Sequence, residues 1–87
     1  MATELLATGS TAANSADVVV AAGTPVIVMM KDQTGAEARI RILLKDEDGA
    51  YFDVGELTPA RPALGLGIAG TYRLTRVAGN TCGAFSA

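Results

Sequence analysis

Histidine and tryptophan are absent from the sequence, and cysteine occurs once, at Cys82. Without imidazole there is no Ser-His or Cys-His nucleophile and no histidine ligand for a metal. A single cysteine excludes an internal disulfide. Its surroundings, GNTCGAFSA, hold no basic neighbour to lower a thiol pKa, so Cys82 reads as a small buried residue. Basic charge is sparse too: seven Lys and Arg are scattered among nine Asp and Glu, for a net charge of -2. No basic block exists to neutralise phosphates, which speaks against nucleic-acid binding. The longest apolar stretch, Val18–Met30, is broken by Gly23, Thr24 and Pro25 and is too short to span a bilayer. MATELLATGS has neither a basic region nor a continuous apolar segment, so no signal peptide is expected. With no imidazole, and with its carboxylates clustered in turns rather than around a pocket, the chain is expected not to be an enzyme and to need no cofactor.

What is present is aliphatic. Hydrophobic residues make up 49% of the chain but aromatics only 5%, so a small core must be built from Val, Ile, Leu, Ala and Met. Part of that apolar surface has no place within one short chain, which points towards a partner.

The hexapeptide KDQTGA, Lys31–Ala36, is nearly repeated as KDEDGA at Lys45–Ala50. Between them EARIRILLK alternates at Ala38, Ile40, Ile42 and Leu44, the period of a half-buried strand. PVIVMMK precedes this strand and AYFDVGEL follows it, so both hexapeptides read as hairpin turns. A three-residue loop Glu47-Asp48-Gly49 sets Leu44 opposite Phe52 and Ile42 opposite Val54. It also puts glycine where a type I turn plus bulge needs the left-handed conformation. The same rule applied to Gln33-Thr34-Gly35 sets Val28 opposite Ile40 and Lys31 opposite Glu37. Gly35 and Gly49 are therefore expected at positive φ. Asp46, Asp48 and Asp53 resemble an oxygen-rich cation site, but their spacing is not that of a calcium loop, so no metal is expected.

The remaining segments are also strand-like. Residues 1–16 are small and polar apart from Leu5 and Leu6, and read as an extended N-terminal arm with an edge strand at Thr3–Thr8. Residues 17–87 hold the Val-rich strand Asp17–Ala22, the Pro59/Pro62 break, LGLGI, TYRLTRV and a last short strand. Gly65, Gly67 and Gly70 spell GxGxxG, but a strand follows and no acidic residue comes later, so this is not a nucleotide fingerprint. Leu64, Leu66 and Ile68 are expected in the core, with the glycines admitting a neighbouring backbone. Tyr72 in AGTYRL is similar to the tyrosine corner of immunoglobulin-like sandwiches. Six or seven short strands with no capped helix imply an all-β fold: a small antiparallel, immunoglobulin-like β-sandwich.

In that register the outward face of the three-strand meander carries Ile27, Met29, Arg39, Arg41, Leu43, Tyr51 and Asp53. Aliphatics mixed with arginines and a tyrosine are the composition of a protein interface. The Ala/Ser/Thr-rich arm, AAGTPV, the glycine-rich hairpins and GTYRLTR together resemble small structural proteins of tailed-bacteriophage virions. The resemblance implies a capsid decoration (cement) protein or another head or tail component, located in the virion. It also implies a homotrimer that binds the major capsid protein through its arm. An immunoglobulin-like adhesion or carbohydrate-binding module is the alternative, with Tyr51 as its one aromatic on that face.

Replacing Gly49 by Val should cost on the order of 1 kcal/mol or more in thermal unfolding, because a β-branched residue resists positive φ.

Overall fold

The computed structural model describes residues 3–87, and every regular element in it is a β-strand. Among the described residues there are nine: β1 (Thr3–Gly9), β2 (Ala13–Asn14), β3 (Val18–Val20), β4 (Val26–Lys31), β5 (Ile40–Lys45), β6 (Tyr51–Leu57), β7 (Ala63–Leu66), β8 (Gly70–Arg76) and β9 (Cys82–Ser86). They form two antiparallel sheets. The four-stranded sheet runs β1-β9-β4-β7; the five-stranded sheet runs β2-β8-β5-β6, with β3 also pairing β8. The sheets pack face to face as a small all-β sandwich, the solution that alternating, helix-free segments demand. Val28, Met30, Leu66 and Ala84 from one sheet meet Val20, Ile40, Ile42, Leu57 and Leu74 from the other. The layering is that of an immunoglobulin-like sandwich, but the connections differ. There the last two strands share a sheet; here β8 and β9 lie in opposite sheets.

The KDEDGA turn forms as its chemistry requires. Gly49 N donates to Asp46 O at 3.2 Å and Asp46 N donates to Ala50 O at 2.8 Å, with Gly49 at φ 87°. Leu44 faces Phe52 across β5 and β6. One residue later the register slips: Val54 is bulged out, so Ile42 faces Gly55 rather than Val54.

KDQTGA is not a hairpin, although Gly35 has φ 77°. β4 and β5 belong to different sheets, so Val28 pairs Ser86 and Leu64, while Ile40 pairs Leu57 and Arg76. The cause is distant in sequence. Glu37 N donates to Asn80 Oδ1 at 3.0 Å and Thr34 N donates to Thr81 O at 2.9 Å, tying the segment to the β8–β9 loop. A Cβ on Gly35 would lie 2.7 Å from that same Asn80 oxygen. Lys31 accordingly pairs with Glu4, not Glu37.

The edge strand expected at Thr3–Thr8 forms, one residue longer. Met1 and Ala2 lie outside the described residues, but Thr3–Gly9 is an edge strand paired with β9, and Leu6 is 5% exposed. Ser15 is buried as well: its N donates to Leu74 O at 2.8 Å, and its Oγ accepts from Leu74 N at 3.0 Å. Residues 3–16 thus belong to the sandwich. This segment and the two-residue β2 bring the strand count to nine rather than six or seven.

Arg76 makes this attachment. It alternates inward with Tyr72 and Leu74 at the end of β8 and is only 5% exposed. Its Nη1 donates to Ala7 O at 2.6 Å and to Cys82 O at 2.9 Å, and its Nε donates to Thr11 O at 2.6 Å. Hydrogen bonds from an ionised donor are about twice as strong as neutral ones, and three of them offset burial of the charge. Arg76→Met should lower stability by about 2–4 kcal/mol. Hydrogen exchange should show β1 losing protection first. An unchanged melting temperature would show these contacts to be incidental.

Candidate interaction surfaces

The six residues expected to form one interface fall on two opposite surfaces. Arg39, Arg41, Leu43 and Tyr51 lie on the outer side of the five-stranded sheet. Ile27 and Met29 lie on the outer side of the four-stranded sheet, because β4 and β5 do not pair. A full sandwich thickness separates the two groups. The single mixed patch therefore does not exist.

The carboxylates on the five-stranded sheet's outer side are paired from within. Arg39 pairs with Glu56 at 3.3 Å and Arg41 with Asp53 at 3.6 Å, both diagonal to the register that sets Arg41 opposite Glu56 and Leu43 opposite Asp53. The Arg73 guanidinium stacks 3.8 Å from the centre of the Tyr51 ring, and its Nε is buried with no hydrogen-bond partner. Tyr51 donates its hydroxyl to Asp17 Oδ1 at 2.9 Å, and Lys45 Nζ lies 3.8 Å from Asp17 Oδ2. Exposed pairs of this kind add little stability each. Their main effect is to pair three of the four cations on this side with carboxylates, with Leu43 half-buried among them.

The four-stranded sheet's outer side is different. Met29 sits between Ala63 on one neighbour and Phe85 on the other, and Ile27, which is 48% exposed, faces Gly65. The ion pair Lys31–Glu4 lies at one margin. Apolar side chains in contact, with charge only at the rim, make a surface that water covers poorly.

A third surface lies where the two sheets end. β6 and β7 are the last strands of their sheets on the same flank of the sandwich. Phe52 faces Leu44 and so belongs to the inner side of its sheet, yet it is 57% exposed because β7 is short and offers glycine where a cover is needed. Val54 is 52% exposed beside it. A cleft of about 220 Å³ opens there, lined by Leu44, Val54, Leu64, Leu66, Ile68 and Tyr72. It runs on into a wider groove bounded by Glu56 and Arg61. Ile68 stands at its lip, 76% exposed, not in the core as its alternation with glycine implies. Gly65 and Gly67 face open space, so they do not serve close backbone approach. Tyr72 closes the cleft floor, donating its hydroxyl to Ile68 O at 2.7 Å, the upstream backbone bond of a tyrosine corner. The sequence signal for this cleft was available: inward Phe52 and Val54 opposite a strand written with glycines.

Cys82 is fully buried, and burial pushes its thiol pKa up, with the Arg76 charge pulling partly the other way. As pH rises past the ordinary thiol range, the unfolded chain ionises first, so Cys82 then lowers stability. No family model matches the chain, and no curated protein or solved structure matches it.

The aspartate-rich turn is occupied by its own backbone. Asp46 Oδ1 accepts from Asp48 N at 2.9 Å and from Ala50 N at 2.8 Å, while Asp53 turns to Arg41. EDTA should therefore leave the melting temperature unchanged. A fall of several degrees, reversed by calcium but not magnesium, would overturn this assignment.

Proposed function

We propose that the chain is a non-enzymatic structural protein of a virion, a capsid decoration (cement) component that binds itself and stabilises a phage head lattice. The observation that carries this reading is the presence of two separate apolar surfaces on different sides of one small sandwich. One is Ile27, Met29 and Phe85; the other is Phe52, Val54 and Ile68. A protein that only dissolves has no use for either, and one that joins two neighbours needs both. The resemblance of the glycine-rich hairpins and GTYRLTR to phage virion proteins supplies the lattice. In this reading the outer side of the four-stranded sheet docks on the major capsid protein, and the β6–β7 flank serves self-association. Assembly then takes place in the host cytoplasm, with no cofactor, membrane or nucleic acid involved.

The adhesion or sugar-binding alternative needs a free aromatic ring for stacking. Tyr51 does not offer one, since Arg73 covers its face and Asp17 holds its hydroxyl.

Co-sedimentation with phage heads assembled from a major capsid protein tests the reading. Ile27→Asp should abolish attachment while changing the melting temperature little, because Ile27 points away from the core. Arg39→Ser, on the opposite side, should attach normally. Equal binding by the Ile27 variant, or none by the intact chain, would overturn the proposal.

A further inference from the structure

We propose that two copies of the chain associate flank to flank along β6, about a two-fold axis passing near Val54. The proposal rests on the reading above for the premise of self-association. It replaces the three-fold arrangement that the phage resemblance implies with an isologous pair.

The first ground is the state of the edge. Exposed edge strands are normally guarded by lysine, proline, an inward charge or a bulge. β6 reads YFDVGEL and has no lysine, proline or inward charge, so its bulge is the guard it carries. Its two carboxylates are already neutralised by Arg41 of β5 and by Arg39 just before that strand, so a second copy meets no uncompensated charge there. The bulge at Val54 interrupts the backbone edge. Contact is consequently carried by side chains, with Phe52 and Ile68 of each copy standing over the other's cleft.

The second ground is charge, and it is what selects a copy of this same chain. Of the seven lysines and arginines, Lys31, Arg39, Arg41 and Lys45 have carboxylate partners, Arg73 stacks on Tyr51, and Arg76 is held by carbonyls. Arg61 alone has no such side-chain partner among the described residues. Glu47 and Asp48, like Asp32, Glu37 and Asp46, make no ion pair among the described residues. Of these, Glu47 and Asp48 stand with Arg61 at the two ends of β6: the acidic turn precedes Tyr51, and Arg61 follows Leu57. Seven residues of strand set them roughly 20 Å apart. A two-fold axis at the strand's middle brings Arg61 of each copy to Glu47 and Asp48 of the other, twice over. A side-by-side parallel approach would instead set like charges together. Isologous pairing of this kind is also the commonest symmetry of self-assembling proteins.

The test is sedimentation equilibrium on the full chain up to millimolar concentration, with a mass of two chains expected. Val54→Asp should weaken the dimer by about tenfold or more, since it buries a charge at the centre of the contact in both copies. Arg61→Glu should weaken it several-fold, and adding Glu47→Lys and Asp48→Lys to Arg61→Glu should restore it. These three positions are exposed, so the charge series decides the matter even if Val54→Asp perturbs folding. A monomer at every concentration, which would leave the cleft to a strand of some other protein, overturns the proposal. So does a trimer, or a reversed-charge triple variant no tighter than Arg61→Glu. Head attachment through Ile27 is read in its own assay, so failure of the dimer and failure of the capsid reading are separately visible.

Discussion

A guanidinium buried among carbonyls is the constraint on which the rest of this sandwich depends. Arg76 belongs to β8, in the five-stranded sheet, but its acceptors come from β1, the β1–β2 connection and β9. A charge so placed is tolerable only while each donor keeps its partner. The two layers are thus joined at one end by polar bonds as well as by apolar packing. The register of β1 on β9 reflects this demand. It slips between Leu6 and Gly9, leaving Ala7 O to turn towards Arg76 instead of continuing the ladder. The N-terminal strand is held in place by that side chain, by buried Leu6 and by Ser15 on the β8 backbone. That is why a segment of small polar residues folds back at all.

The other end of the sandwich shows what a core with few aromatics can and cannot close. Tyr72 is the one aromatic among the core residues, and it spans the inner space with its hydroxyl satisfied by Ile68 O. Elsewhere the layers meet through branched aliphatics, which fill the centre between β4, β5 and β8. At the β6–β7 flank the opposing strand is four residues long and carries a glycine, so Phe52 and Val54 find nothing to cover them. The same shortage that keeps the core small leaves its margin open.

How much of this was legible in the sequence depended on how far each contact reaches along the chain. KDEDGA is held by Asp46 Oδ1 on the backbone of Asp48 and Ala50, within four residues, and its turn, its glycine and the Leu44–Phe52 pair all follow from local chemistry. KDQTGA looks the same over six residues, yet its fate is decided by Asn80, 43 positions away from Glu37. No local window contains that bond. The misplaced hairpin then carried a second error with it, since Ile27 and Met29 share a surface with Arg39 and Leu43 only if β4 pairs β5. The N-terminal segment shows the same limit: its composition is that of a tail, and the strand that pairs with it, β9, lies at the far end of the chain. Arg76 itself was within reach. In TYRLTRV, once Tyr72 and Leu74 point inward, period two sends Arg76 inward as well.

Exposed apolar residues alone do not identify a contact surface; the charges around them decide. Leu43 lies among ion pairs that are complete within the chain, and a partner covering it would have to strip water from each of those pairs with nothing new to offer them. Ile27, Met29 and Phe85 impose no such cost, because the nearest ion pair stands at their margin. The β6–β7 flank goes one step further: its apolar centre is bordered by charges of opposite sign that have no ion-pair partner among the described residues. Coulomb energy between exposed groups is small, and salt screens it. It therefore selects orientation rather than supplying affinity, which must come from Phe52, Val54 and Ile68. A surface built this way holds its partner by apolar burial and sets its direction by charge.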